Sequence, residues 1–297
     1  MKRNSLFRKT LGMLFAGLCL LPLCSACGVD NAQGVLPHKL APKITAPREH
    51  SEKLRVLFIG NSFTFFNDLN QPNGLFAKMA KNAGYEGVRV SSVYRGGYYL
   101  HQFLDRSDNY GKQVLDLLES DRKYDIVVIQ EQSNNAIANP GDFYDSCREF
   151  KKLVDRNGGE LWLYSTWGYK SGRPELPRFG SSTEDMEMKL RAAYTAIAEE
   201  LDVGIVYAGA AITRAAAQNP SIDVYDADLL HPSPAGSYLI GCTLFGTIFG
   251  VDPLTLTYNG PLDEADAAAL RAIASSIVNE GVSVDNSYFK PSAGIHA

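Results

Sequence analysis

Histidine, cysteine and net positive charge are all scarce in this sequence, and each scarcity excludes something. Of 297 residues only five are histidine and five cysteine, and 29 basic side chains stand against 33 acidic ones for a net charge of -4. No basic tract lies beyond the first residues, and basic and aromatic side chains do not interleave, so no nucleic-acid partner is expected. The longest apolar run near the start, Leu11 to Leu23, is too short to span a bilayer. There is no internal repeat. Cys19, Cys24 and Cys27 crowd into the N-terminus, where a Cys-x-x-Cys spacing has no redox meaning. Cys147 and Cys242 fall inside expected helices and read as small buried hydrophobes, with a disulfide between them as the alternative for an exported chain.

What is present at the N-terminus sets the compartment. Lys2, Arg3, Arg8 and Lys9 precede the apolar run, which is the pattern of an export signal and not of a folded element. The run closes on Leu23-Cys-Ser-Ala-Cys27-Gly28, which resembles a bacterial lipobox with Cys27 as the lipidated residue. Cys24 replaces the usual leucine, so cleavage by an ordinary signal peptidase is the alternative. The expected organisation is an export signal over 1–27, a flexible tether over 28–52, one domain over 53–251, and a helical extension with a tail over 252–297 packed on that domain. A lipid at Cys27 would hold the protein on a bacterial membrane surface, facing the cell exterior or periplasm, without crossing it. Without the lipid the chain would be secreted. Oligomeric state is not legible.

Within the domain, apolar strands alternate with amphipathic helices. Leu54 to Ile59, Val88 to Val93, Tyr124 to Ile129, Leu161 to Tyr164 and Gly204 to Tyr207 read as strands; the first is apolar in five of six positions, as in a strand covered on both faces. Helical spacing recurs between them, as in Met186, Leu190, Ala193, Ile197 and Leu201. This alternation predicts an α/β fold, a parallel sheet of about five strands flanked by helices. Thr166 to Ser182 has no period and is the longest irregular segment, the kind of loop that forms lids or binding surfaces.

The first strand stops on Gly60-Asn61-Ser62, so Ser62 would stand on a turn at the carboxyl edge of the sheet, where ligands of open α/β sheets bind. These residue types also make ordinary turns. A serine needs a base before it can act as a nucleophile. His38 and His50 fall in or next to the tether and His296 next to the C-terminus, which leaves His101 and His231. His231 precedes Ser233-Pro234, a helix start, and the helix that follows is apolar on most faces, so the imidazole would be fixed in place. Asp228, three residues earlier, could accept the Nδ1 proton and turn Nε2 outward; Asp226 competes for that role at a spacing less suited to a local turn.

In their order along the chain, Gly60-Asn61-Ser62, Gly96-Gly97, the polar block Gln130 to Asn135 and Asp228-x-x-His231 resemble the SGNH (GDSL-like) serine hydrolase superfamily, over about Lys53 to Val251. Ile59-Gly-Asn-Ser-Phe-Thr-Phe65 and His231 leading into Gly236-Ser-Tyr-Leu239 are similar to a bacterial branch of it. The resemblance implies a three-layer, flavodoxin-like α/β/α fold. It also implies cleavage of small acyl esters, often acetyl groups on carbohydrate, with no metal and no cofactor. It casts Ser62 as nucleophile, His231 as base and Asp228 as orienting acid, with the amides of Ser62 and Gly97 as oxyanion donors. The third donor matches Asn134, but Gln132 stands where the family has glycine, so Gln130 and Gln132 compete for the part. Tyr99 and Trp167 are candidates to stack on a sugar ring. A glycan-binding protein without turnover is the alternative on the same fold.

Overall fold

The computed structural model describes residues 47–288 and the backbone of His38–Leu40. The segment expected to be an export signal, Cys27, most of the expected tether and the end of the tail with His296 lie outside the described residues.

Five parallel strands form one sheet: β2 (Arg55–Gly60), β3 (Arg89–Tyr94), β4 (Ile126–Ile129), β5 (Glu160–Tyr164) and β6 (Gly204–Val206), in the order β3-β2-β4-β5-β6. Val56 to Gly60 and all of β4 are buried, which explains their uninterrupted apolar runs: a central parallel strand is covered on both faces. In register, Ile59 pairs with Val93 and with Ile129, so the loops leaving β2, β3 and β4 emerge side by side. The chain goes outward from β2 to β3 and then back across β2 to β4. The carboxyl ends of β2 and β4 therefore flank the topological switch point.

The helices are α1 (Ser62–Phe65), α2 (Leu75–Asn82), α3 (Asn109–Glu119), α4 (Asn135–Ala138), α5 (Pro140–Asn157), α6 (Thr183–Leu201), α7 (Ala208–Gln218), α8 (Pro234–Phe249) and α9 (Glu264–Glu280). Within the layers, α5 packs on α3 and α6, while α8 packs on α2, α7 and α9. The architecture is the α/β/α arrangement expected from the strand and helix pattern. Helix α8 is buried from Ala235 to Phe249 because neighbours enclose it, and Ser233 caps it by accepting the Gly236 N–H at 3.1 Å. Cys147 and Cys242 are free and buried.

Two short elements differ from the sequence expectation. His38–Leu40, expected within the flexible tether, is a strand (β1), and it pairs antiparallel with Val282–Val284 (β7) in the expected tail. Three residues are too few for a period to register.

The extension is tied to the domain by Arg271 on α9. Its guanidinium donates to Tyr238 Oη on α8 (3.0 Å), to Asn259 Oδ1 (2.7 Å) and to Glu264 Oε1 (2.6 Å). Arg271 itself is buried. Arg271→Met keeps the apolar stem and leaves these partners unserved, and should lower stability by about 2–3 kcal/mol. Urea unfolding should show an earlier midpoint at an unchanged slope; an unaltered midpoint would mean α9 is held by apolar packing alone.

Candidate active site

The turn over residues 60–62 is stitched to the neighbouring strand. Gln130, buried at the end of β4, accepts the Asn61 N–H (3.1 Å) and the Thr64 hydroxyl (2.8 Å) on a single oxygen, Oε1. A Cβ at position 60 would collide with Thr64 Oγ1 and lie 2.7 Å from that Gln130 oxygen, so only glycine lets the turn close. Asn61 then works in two directions. Its Oδ1 accepts the Phe63 N–H at 3.2 Å, capping the turn of helix that begins at Ser62, and its Nδ2 donates to Tyr98 O at 3.0 Å, holding the loop that follows β3. Ser62 is left half-buried at the carboxyl edge.

The residues 228–231 form a tight turn against it. Asp228 Oδ1 accepts the backbone N–H groups of Leu230 (3.0 Å) and His231 (2.9 Å), while Oδ2 lies 2.5 Å from His231 Nδ1. A carboxylate can only accept, so Nδ1 carries the proton and Nε2 is free to accept one. Nε2 stands 2.8 Å from Ser62 Oγ. Partial burial pulls the Asp228 carboxyl upward, but the hydrogen bonds from the His231 ring and from the two backbone amides outweigh it and hold its pKa below the ordinary value. Phe66 lies face to face on the imidazole (4.3 Å between centroids, 12°) and Phe63 meets it edge-on at 5.6 Å, so the ring is held from two sides. Asp226 faces away from this role: its Oδ1 accepts the Ala227 N–H and its backbone N–H closes the turn on His231 O. His101 lies apart, paired with Asp142 on an exposed surface.

No model of a known protein family matches the sequence, and no curated protein matches it. Solved structures do. A protein of Slackia heliotrinireducens, provisionally described as an SGNH hydrolase, is 27% identical; the match covers 66% of this chain and 100% of that one with a TM-score of 0.57. A DUF4886 family protein from Bacteroides uniformis matches over 80% of this chain and 100% of its own at 18% identity and a TM-score of 0.60. A provisionally described GDSL-like lipase from Parabacteroides merdae matches over 70% and 99% at 15% identity and 0.51. The chain has the SGNH (GDSL-like) hydrolase fold.

Within that fold the remaining candidate residues separate. Gly97 is exposed in the left-handed region (φ 76°), which glycine tolerates, and its N–H has no acceptor among the described residues. The Ser62 N–H, at the first position of α1, has no intrahelical acceptor either. Gln130 is not an oxyanion donor: it is buried beneath the turn, its oxygen serves Asn61 and Thr64, and its Nε2 donates to Glu131 O. Gln132 folds back on its own loop, Oε1 accepting the Asn134 N–H and Nε2 donating to Ser133 Oγ, each at 3.1 Å. Asn134 Nδ2 donates one proton to Tyr169 Oη at 2.7 Å, which leaves its second for another acceptor.

Trp167 is not a sugar platform. It is fully buried, stacked on Phe63 (4.0 Å, 11°), and its Nε1 donates to Leu230 O at 2.9 Å. Tyr99 is exposed and lies parallel to the His101 ring at 5.6 Å. Spacing gave no sign of Phe66, Tyr169 or Glu131; only the run of three phenylalanines after Ser62 hinted at Phe66.

Glu131 is fully buried beside the site. Its Oε1 accepts the N–H groups of Leu100 (3.1 Å) and Gln132 (2.6 Å), tying the loop after β3 to the loop after β4. Its Oε2 has no partner among the described residues. Burial, opposed by the two backbone hydrogen bonds and by the Asn135 side chain, pushes its pKa from 4.5 up to about 7. The folded protein thus holds this proton more tightly than the unfolded chain. The stability linked to it is complete below 4.5 and is lost as the pH rises through about 7. Glu131→Gln abolishes the titration. Its stability relative to the wild type should improve by about 3 kcal/mol between about pH 4.5 and about pH 8. Urea unfolding at the two pH values measures this; a constant difference would mean that Glu131 does not titrate in that window.

Proposed function

We propose that the protein is a serine hydrolase of esters, acting on small acyl groups, acetyl first among them, carried by carbohydrate. The hydrogen-bonded chain from Asp228 Oδ2 through His231 to Ser62 Oγ, at the switch point of the sheet, carries this reading. Ser62 Oγ attacks the ester carbonyl as Nε2 takes its proton, and Asp228 stabilises the imidazolium that results. The tetrahedral oxyanion is met by the N–H groups of Ser62 and Gly97 and by Asn134 Nδ2. His231 returns the proton to the leaving alcohol, and water activated by the same histidine hydrolyses the acyl-enzyme. The solved structures described as an SGNH hydrolase and a GDSL-like lipase support ester hydrolysis as the class. The preference for acetylated glycans rests on the family resemblance and on the export signal; with Cys27 lipidated, the domain would work at the membrane surface.

Purified protein should hydrolyse 4-nitrophenyl acetate, and Ser62→Ala should lower kcat/KM by about 10⁴-fold or more. Asn134→Ala should cost about 10²- to 10³-fold in kcat, whereas Gln132→Ala should cost markedly less. Equal rates for wild type and Ser62→Ala would remove the assignment of Ser62. A fluorophosphonate should label the wild type and not that variant. Binding of acetylated polysaccharide with neither labelling nor turnover would instead indicate the glycan-binding alternative, for which the glutamine at position 132 is the motivating feature.

A further inference from the structure

The residues 228–230 expose three successive backbone carbonyls, and all three are taken by one neighbouring segment. Arg173 Nη1 donates to Asp228 O at 2.7 Å, the Lys170 N–H to Leu229 O at 3.0 Å, and Trp167 Nε1 to Leu230 O at 2.9 Å. The same segment reaches the other two parts of the site. The Trp167 ring is stacked on Phe63, next to Ser62, and Tyr169 Oη accepts from Asn134 Nδ2. Tyr169 is buried, and the Arg173 guanidinium lies over its ring at 5.1 Å from the centroid.

We propose that Trp167–Arg173 is a clamp that sets the position of the acid–base turn relative to Ser62 and Asn134, with Arg173 and Trp167 as its positioning residues. The inference rests on the serine hydrolase reading for its effect on rate, though not for its effect on the turn. The turn needs such support. Asp226 to Asp228 are exposed, so the core does not hold them, and Leu229 sits in the left-handed region (φ 63°), which a branched side chain rarely adopts. Asp228 has already committed both carboxylate oxygens, one to the amides of the turn and one to the imidazole. If the peptide planes at 228–230 rotate, the carboxylate and imidazole move together, and Nε2 leaves Ser62. The three donors block that rotation.

Arg173→Ala in the full-length protein tests this without opening the core. On 4-nitrophenyl acetate kcat should fall about 10- to 100-fold with KM within about twofold. Fluorophosphonate labelling of Ser62 should slow by the same factor, and Arg173→Lys should recover part of the rate. Hydrogen exchange of the amides of 226–231 should accelerate while exchange in β2 and β4 stays as in the wild type. Trp167→Phe keeps an aromatic ring beside Phe63 and removes the N–H to Leu230 together with part of the buried ring; it should give the same pattern, with exchange in β2 and β4 as the control for the lost volume, and it decides the matter if Arg173→Ala does not fold. Wild-type kcat with wild-type exchange at 226–231 would overturn the clamp. So would a rise in KM alone, which would make Arg173 a substrate contact. If the wild type itself neither turns over nor labels at Ser62, the hydrolase reading fails, and the exchange measurement still decides whether the clamp exists.

Discussion

The hydrogen bond from Ser62 Oγ to His231 Nε2 joins residues 169 positions apart, and the rest of the site exists to keep that 2.8 Å distance. Neither partner belongs to the sheet. Ser62 is two residues past the end of β2, and His231 is in the turn that precedes α8. The sheet supplies a rigid edge; the distance is set by what connects each turn to that edge. For Ser62 the connection is Gln130, whose one oxygen gathers an amide and a hydroxyl from the turn, in a space that opens only because residue 60 has no side chain. For His231 it is α8 below, buried from Ala235 onward, together with the contacts that 167–173 make to the carbonyls of 228–230 and Asn67 Nδ2 on Pro232 O at 2.9 Å. Displacing either by an ångström would forfeit most of the proton-transfer geometry.

Electrostatics at the site work against as well as for the proposed chemistry. The amino-terminal end of α8 disfavours positive charge on the nearby imidazole. Asp228, held ionised by three hydrogen bonds, offsets this at contact distance, where the Coulomb interaction far exceeds that with a partial helix charge. Glu131 is a second carboxylate close to the loops that carry Gly97 and Asn134, and its negative charge would oppose an oxyanion forming between them. Burial shifts it toward the neutral acid, and that shift reduces the conflict.

How much of this could be read from residues alone depended on whether an interaction leaves a pattern. Strands β2, β4, β5 and β6 were legible because burial forces apolar runs, β3 at the sheet edge only from its recurring valines, and α8 because enclosure by neighbours makes a helix apolar all round. Ser62, Asp228 and His231 could be nominated because histidine is rare and because a turn puts Asp-x-x-His in local contact. Trp167 was misjudged because a tryptophan beside a site has the same identity whether it stacks on a sugar or on Phe63. Gln130 was misjudged because one amide can serve a substrate or a strand, and only burial distinguishes the two. Arg173 was not legible at all. Its partner is a backbone carbonyl, and a carbonyl is present at every residue.

The turn that carries Asp228 and His231 is built from hydrogen bonds and not from packing. A turn buried in apolar side chains would be held more simply, but the proposed acyl-enzyme would need water at the face of the histidine, and an apolar cover would exclude it. The turn therefore has to remain at the surface, with the Asp228 side chain 44% exposed and that of His231 18%. At the surface, geometry must come from directional contacts to backbone groups, each worth only about 1 kcal/mol net. Several must then act together, which is consistent with three successive carbonyls being served by a single segment. The irregular loop after β5 thus has a reason to lack periodicity: its spacing follows the carbonyls of another turn and not a helix or strand of its own.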